Sequence, residues 1–420
     1  MIFEGFVEAE SFFLWAIFAI AIVLGAVANK TNFCTMGAVS DWVNMGDLGR
    51  IRAWLLAIAV AMLGVVVLES FGLVNANAAF PPYRAAQLIW AENILGGILF
   101  GIGMTLASGC GNKTLVRIGG GNLKSIVVLA VIAVIAYFMT NPFPDSDQTL
   151  FGMLFYDWIR PLAITAPAGQ DLGALLNPTN ALMTRLVIGC VLVVAFLVFI
   201  FKSADFRSSR DNILGGLIVG LCVLGGWYVS SNVAVEVDEQ AYSLTTYYNE
   251  WPMLADSDEG KPAQGRPLSP QSYTFINPMG QTFGYITKGL DRSLLTFGIV
   301  ALLGVIAGSF LWALVSKSFR FEWFVSIKDF STHIIGAVLM GFGGVLALGC
   351  TIGQGITGVS TLAVGSFLAL IAIVFGSAIT MKVQYYKLVY EAEASFLKAL
   401  VAGLADMKLL PNSWRKLDAV

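Results

Sequence analysis

This 420-residue chain has a single histidine, His333, and none of its five cysteines has another close by in sequence. There is no C-x-x-C, no H-E-x-x-H and no histidine cluster, so zinc, haem and iron–sulfur sites of the usual spacings are excluded and no metal or other cofactor is expected. A phosphate loop is lacking as well. Its nearest approach, Gly111-Asn112-Lys113-Thr114, has Asn where the pattern needs Gly and no glycine five residues earlier. Charge is scarce: 12% of residues, against about 25% in soluble domains. The 25 Lys and Arg nearly balance the 27 Asp and Glu, which favours no nucleic acid or other polyanion. The first ten residues carry three Glu and no Lys or Arg, the reverse of a signal-peptide n-region, so the first apolar segment is expected to stay in the mature protein.

What the chain does have is apolar length: 57% hydrophobic residues, too many for a surface covered by water and suited to one covered by lipid. The reading is an all-α polytopic membrane protein. Spans of about 20 residues fall near 12–29, 53–72, 93–110, 125–140, 182–201, 212–230, 293–315, 333–350 and 361–381. Connections after odd-numbered spans, with the C-terminal tail, hold 18 of the 25 Lys and Arg, and the other face holds 17 of the 27 acids. The positive-inside rule then puts the N-terminus outside and the C-terminus in the cytoplasm. Two long polar connections, 141–180 and 231–292, are expected as external caps. Glu69 and Glu92 are expected to be solvated, and residues 388–410 read as an amphipathic helix at the cytoplasmic surface or against a partner.

The sequence repeats itself. GGILFGIGMTLASGC at 96–110 and GAVLMGFGGVLALGC at 336–350 share eight of fifteen positions without a gap. Their spans run in opposite directions, so the repeat is inverted and the architecture reads 4+1+4. The expected units are a first repeat at 1–140, a loop and linker span at 141–211, an inverted second repeat at 212–381, and a cytoplasmic amphipathic tail at 382–420. Inverted repeats with broken helices, some short or re-entrant, are a transporter architecture whose site lies near the midplane.

Polar, glycine-rich breaks follow three cysteines: ANKTNFC ending at Cys34, SGCGNKT around Cys110 and LGCTIGQG around Cys350. Such backbone cannot face lipid and must line a cavity or be buried in protein. Cys34, Cys110 and Cys350 are therefore the candidate path residues, whereas Cys190 and Cys222 lie inside unbroken spans and read as packing. Asn32, Asn112, Lys113, Thr351 and Gln354 flank the three and could hydrogen-bond a solute. Gly109, Gly111, Gly349 and Gly353 let backbone amides approach it. Glycines 96, 101 and 103, with 336, 341 and 343, read as helix-packing surfaces. The break expected in the second half after span 6, WYVSSN, has no cysteine.

ANKTNFC, the SGC and LGC pair in glycine-rich spans and the inverted duplication resemble the YeeE/YedE family of bacterial sulfur-transport membrane proteins. The resemblance covers both halves of the core but not the long outer connections. It implies uptake of thiosulfate, or a similar small sulfur anion, across the bacterial inner membrane past Cys34, Cys110 and Cys350. It also implies a cytoplasmic TusA-like sulfurtransferase as possible acceptor, and no enzymatic activity. A thiolate would repel the anion, so this reading uses protonated thiols as weak S–H donors. The alternatives are a membrane sulfurtransferase that forms a cysteine persulfide, and a transporter of a selenium compound.

Overall fold

A computed structural model describes residues 1–251, 268–391, 393–415 and 417; Lys261, Arg266 and Lys416, counted above, lie outside the described residues. Nine helical stretches among them are long and apolar enough to cross a bilayer, at the nine expected places. In hydrocarbon a helix is the open-ended structure that satisfies its own backbone, which is why the apolar runs fold this way. Helix α1 (Phe6–Lys30) leads across a break into α2 (Thr35–Met45), followed by α3 (Gly49–Ser70). Helix α4 (Trp90–Leu106) leads across a second break into α5 (Gly111–Gly119) and α6 (Leu123–Thr140). Then come α7 (Ala181–Phe201), α8 (Arg210–Asn232), the half-length α9 (Ile276–Thr287) and α10 (Phe297–Val315). Helix α11 (Ile327–Leu346) ends at a third break, after which residues 351–360 wind with a π-helical turn at Gly353–Gly358. Helix α12 (Val364–Val389) and the short α13 (Phe396–Asp406) complete the order.

Lipid offers no hydrophobic drive for helices to associate, so close van der Waals approach between small residues must do it. The α4–α11 crossing shows how. A Cβ on Gly96 would meet the Gly343 carbonyl oxygen at 2.7 Å, and one on Gly343 would meet the Gly96 oxygen at 2.6 Å. Gly103 and Gly336 repeat the relation at 2.6 and 2.7 Å. Gly101 instead abuts α12, and Gly341 abuts Ile135 of α6. Helix α1 packs along α10 and α8 along α3, again through glycine: Gly304 against Ala21, Gly216 against the Ala53 oxygen and Gly220 against the Ala57 oxygen. Helix α7 sits apart, packed on α3, with Val187, Val191, Val194 and Val198 exposed as a lipid-facing stripe.

Short strands tie the connections together at one end of the bundle. Strand β1 (Ile2–Phe3) pairs with β4 (Ala234–Val237), which pairs with β5 (Gln240–Ser243); β2 (Gln87–Leu88) pairs with β3 (Ile164–Thr165). The Phe80 N–H donates to the Pro270 carbonyl at 3.0 Å, and Asp171 bridges to Ala363. At the opposite end, Asn122 bridges to Glu322. The connections thus sort between two ends as an alternation of nine spans requires, one end acidic and one basic in composition.

The structure corrects four expectations. Helix α8 runs unbroken through WYVSSN to Asn232, so no break lies there. The break of this half lies at Thr274-Phe275, where the outer connection dives inward with Tyr273, Phe275, Ile276 and Met279 fully buried before α9 climbs out; residues 231–292 are therefore not simply a cap. Helix α12 extends to Val389 and takes in Lys382 and Lys387, while the amphipathic α13 packs on its end. There Asp406 accepts from Tyr386 at 2.9 Å and pairs with Lys382 at 3.3 Å and with Arg415. Glu69 and Glu92 are buried, not solvated.

Glu69 belongs to a four-residue charge network. Arg84 grips it at 2.5 and 3.0 Å and also donates to the Thr361 carbonyl; Arg185 reaches Glu69 at 3.2 Å and Asp171 at 2.7 and 3.0 Å. Two cations and two anions, all buried, cancel and satisfy one another, the condition under which buried charge is tolerated. Asp171 also accepts from the Ala174 N–H, and Leu172 donates to the Leu362 carbonyl. The network fastens connection 141–180 to the turn that follows the third break.

Candidate substrate path

Cys34, Cys110 and Cys350 occupy one local geometry three times. In each case a helix ends with a residue in the left-handed region: Asn32 (φ 50°), Ser108 (φ 58°) or Leu348 (φ 58°). The next N–H then reaches back five residues: Phe33 to Ala28 at 3.1 Å, Gly109 to Met104 at 2.8 Å and Gly349 to Gly344 at 2.8 Å. This closing bond ends the helix and satisfies one of its last carbonyls. The cysteine comes next, in the N-cap position of the following helix. An N-cap side chain faces the free N–H groups of the first turn, and here that side chain is a thiol. The Gly353 N–H donates to the Cys350 sulfur at 3.4 Å, while the other two sulfurs face the N–H of Gly37 and Lys113 more loosely. All three cysteines are buried.

The tertiary packing brings the first two breaks together. The thiols of Cys34 and Cys110 are neighbours, and Thr351 of the third break presents its side chain to Cys110. Lys113 donates to Asn32 Oδ1 at 2.5 Å, joining α5 to the end of α1. Phe33 stacks on Trp54 at 4.8 Å and closes this side. Five of the expected residues therefore form one cluster: Asn32, Cys34, Cys110, Lys113 and Thr351.

A second cluster surrounds Cys350. Its sulfur is faced by the N–H groups of Ile352, Gly353 and Phe275 and by the Thr274 hydroxyl. Gln354 donates to the Ala347 carbonyl, and its Oε1 has no partner among the described residues. Gly349 and Gly353 leave room for Thr274, and Gly109 and Gly111 do the same for the Lys113 stem and Ile276. The step from Cys350 to Thr351 links the two clusters. Along them the side-chain oxygens of Thr35, Asn112, Thr351, Gln354 and Thr274 are buried without a hydrogen-bond partner among the described residues. A buried orphan oxygen costs about 1–3 kcal/mol, so five in one region mark a place built to meet polar groups; the three threonine hydroxyls can donate to an anion, whereas the two amide oxygens only accept. Thr274 escaped the sequence reading because it lies in a polar stretch too short to register as membrane-embedded.

Cavities approach the clusters from both ends. At the basic end a cavity of about 590 Å³ is lined by Asn29, Asn32, Lys113, Arg117, Lys317 and Arg320 among others, with Glu322 its one carboxylate, paired to Arg320 at 2.6 Å. At the acidic end a cavity of about 510 Å³ is lined by Thr140, Ser269, Gln271, Asn277, Gln281, Thr296 and apolar residues, with no charged side chain among the described residues. Among the described residues no group of three or more His, Cys, Asp or Glu converges as metal ligands would.

The profile of the sulphur transport family matches residues 30–379, a stretch that contains all three cysteine breaks. One relative, the thiosulfate transporter TsuA of Escherichia coli (strain K12), is 24% identical over 363 residues, which cover 84% of this chain and 90% of the relative. Another of that name, from Spirochaeta thermophila, is 25% identical over 372 residues, covering 87% and 97%. The nine spans and the extent of the profile match lead to one assignment: the chain belongs to the sulphur transport (YeeE/YedE) family.

Proposed function

We propose that the chain takes up thiosulfate, or a closely related sulfur oxyanion, along a path through Cys34, Cys110 and Cys350, without chemical conversion. The observation that carries this reading is the threefold recurrence of a buried thiol at a helix break, amid polar atoms that lack partners. A dianion in a bare low-dielectric interior would face a prohibitive desolvation cost. Amide N–H groups, hydroxyls and carboxamides at the breaks replace its water in steps, and the thiols offer weak donors to its soft terminal sulfur. Weakness favours passage, since each station must load and also release.

Residues 1–140 and 212–381 act as two inverted repeats with α7 as the odd span. The reciprocal glycine contacts of α4 and α11, the matching Ser108 and Leu348 turns, and the exchange of partners between α1–α10 and α8–α3 support this division. By the charge bias, the basic end faces the cytoplasm of a bacterial cell and the N-terminus lies outside. The anion enters through the uncharged cavity and leaves through the basic one, where a cytoplasmic TusA-like sulfurtransferase would accept its sulfur. The test is uptake of ³⁵S-thiosulfate into proteoliposomes. Cys110→Ala and Cys350→Ala should each reduce uptake to background at normal expression, and full uptake by both variants would end the proposal. Competition by sulfite, sulfate and selenium analogues in the same vesicles ranks the substrates.

A further inference from the structure

The head of α9 carries polar groups to which the three-thiol path gives no separate role. Its first residues are seated among glycines: Ile276 lies 2.6 Å from where a Cβ on Gly344 would stand, and Thr274 Cβ lies 2.7 Å from one on Gly353. Thr274 is 8% exposed, stands beside the Cys350 sulfur, and its hydroxyl has no hydrogen-bond partner among the described residues. One turn on, Asn277 lines the cavity at the acidic end with Gln281 and Thr296. An unpartnered hydroxyl beside the buried thiol and a cavity-lining carboxamide thus lie about one helical turn apart.

We propose that Thr274 and Asn277 form an oxyanion-binding station between the cavity at the acidic end and Cys350, a station without a thiol of its own. The proposal rests on the transport path described above. A hydroxyl and a carboxamide are hard donors suited to sulfonate-type oxygens, whereas the adjacent thiol suits a soft terminal sulfur. Side by side they fit an anion with one end of each kind. Thr274 supplies a donor to the oxygens, the Asn277 carboxamide donates through its NH2 group, and Cys350 meets the sulfur.

The experiment compares KM for ³⁵S-thiosulfate uptake in proteoliposomes of the wild type, Thr274→Val, Thr274→Ser, Asn277→Asp and Cys350→Ala. Valine keeps the shape and removes the hydroxyl, so KM should rise about tenfold or more, the worth of one hydrogen bond to a charged group. Serine should restore it. Asn277→Asp, which adds a charge at the mouth without changing its size, should raise KM by repulsion, and it keeps the proposal testable should the valine variant fail to reach the membrane. Wild-type KM in Thr274→Val or in Asn277→Asp, with Cys350→Ala inactive, overturns the station alone. Full activity of Cys350→Ala overturns the path and the station with it.

Discussion

Replacing Gly343 by alanine tests whether the α4–α11 crossing sets the positions of the thiols. The added Cβ would lie 2.5 Å from the Phe100 nitrogen and 2.6 Å from the Gly96 oxygen, and ordinary contact begins near 3.4 Å. Both obstacles are backbone, so no side chain can rotate away and the helices must separate by about 0.9 Å, the shortfall in that contact. Alanine favours an isolated helix over glycine by about 1 kcal/mol, but overpacking costs about 1–3 kcal/mol, and an unyielding backbone puts this site at the upper end. The crossing loses. Cys110 and Cys350 each follow four residues beyond the ends of these two helices, so the separation carries into both breaks. The expected outcome is a lower melting temperature in detergent and a fall of about tenfold or more in thiosulfate uptake, since 1.4 kcal/mol is a factor of ten. Gly96→Ala should act alike, and the double variant should cost less than the sum, because the first separation makes room for the second. Gly5→Ala, with nothing within 4 Å of its Cβ, serves as control. Wild-type melting and uptake in Gly343→Ala would refute the reasoning.

Asp171→Ala leaves Arg185 buried with half its partners and should destabilise the protein by about 3–5 kcal/mol, read as a drop in melting temperature; an unchanged melt removes the network from any structural role. Burial alone would raise the Asp171 carboxyl, but the Arg185 hydrogen bonds, the Ala174 N–H and the Arg84 charge outweigh it and hold the group below its ordinary 3.8. Its stabilisation is therefore complete above about pH 4 and is lost as pH falls through the lower folded value. A stability–pH curve should show an acid limb that Asp171→Asn flattens, and an identical limb in that variant counts against the assignment. Orientation is checked on intact cells with a membrane-impermeant maleimide: Met153→Cys, exposed in connection 141–180, should label, and Val325→Cys, exposed between α10 and α11, should not. The opposite pattern inverts the proposed topology.

The nine spans were legible because each is a long apolar run, and the three cysteine breaks because glycine and polar residues interrupt such runs beside a thiol. Helix α9 was not legible. INPMGQTFGYIT has twelve residues, short of the roughly 20 a span needs, and its polar groups are acceptable at depth only because α6, α10 and α11 surround it. Nor was the charge network, whose pairs are 14, 15 and 116 residues apart; Glu69 beside an apolar run looks like any interfacial acid until Arg84 and Arg185 are folded onto it. The extent of α12 differs for the opposite reason, since Lys382 and Lys387 suggest an end where the helix carries on past both to Val389.

The two cavities have unlike electrostatics, Lys113, Arg117, Lys317 and Arg320 on one side and, among the described residues, only neutral side chains on the other. An anion in the basic cavity sits in an attractive field that salt screens over about 8 Å at physiological ionic strength, while an anion in the neutral cavity feels little of it. A path joining them, as proposed above, would rectify: equal and opposite concentration gradients would drive unequal currents, and salt added on the basic side alone would reduce the inequality.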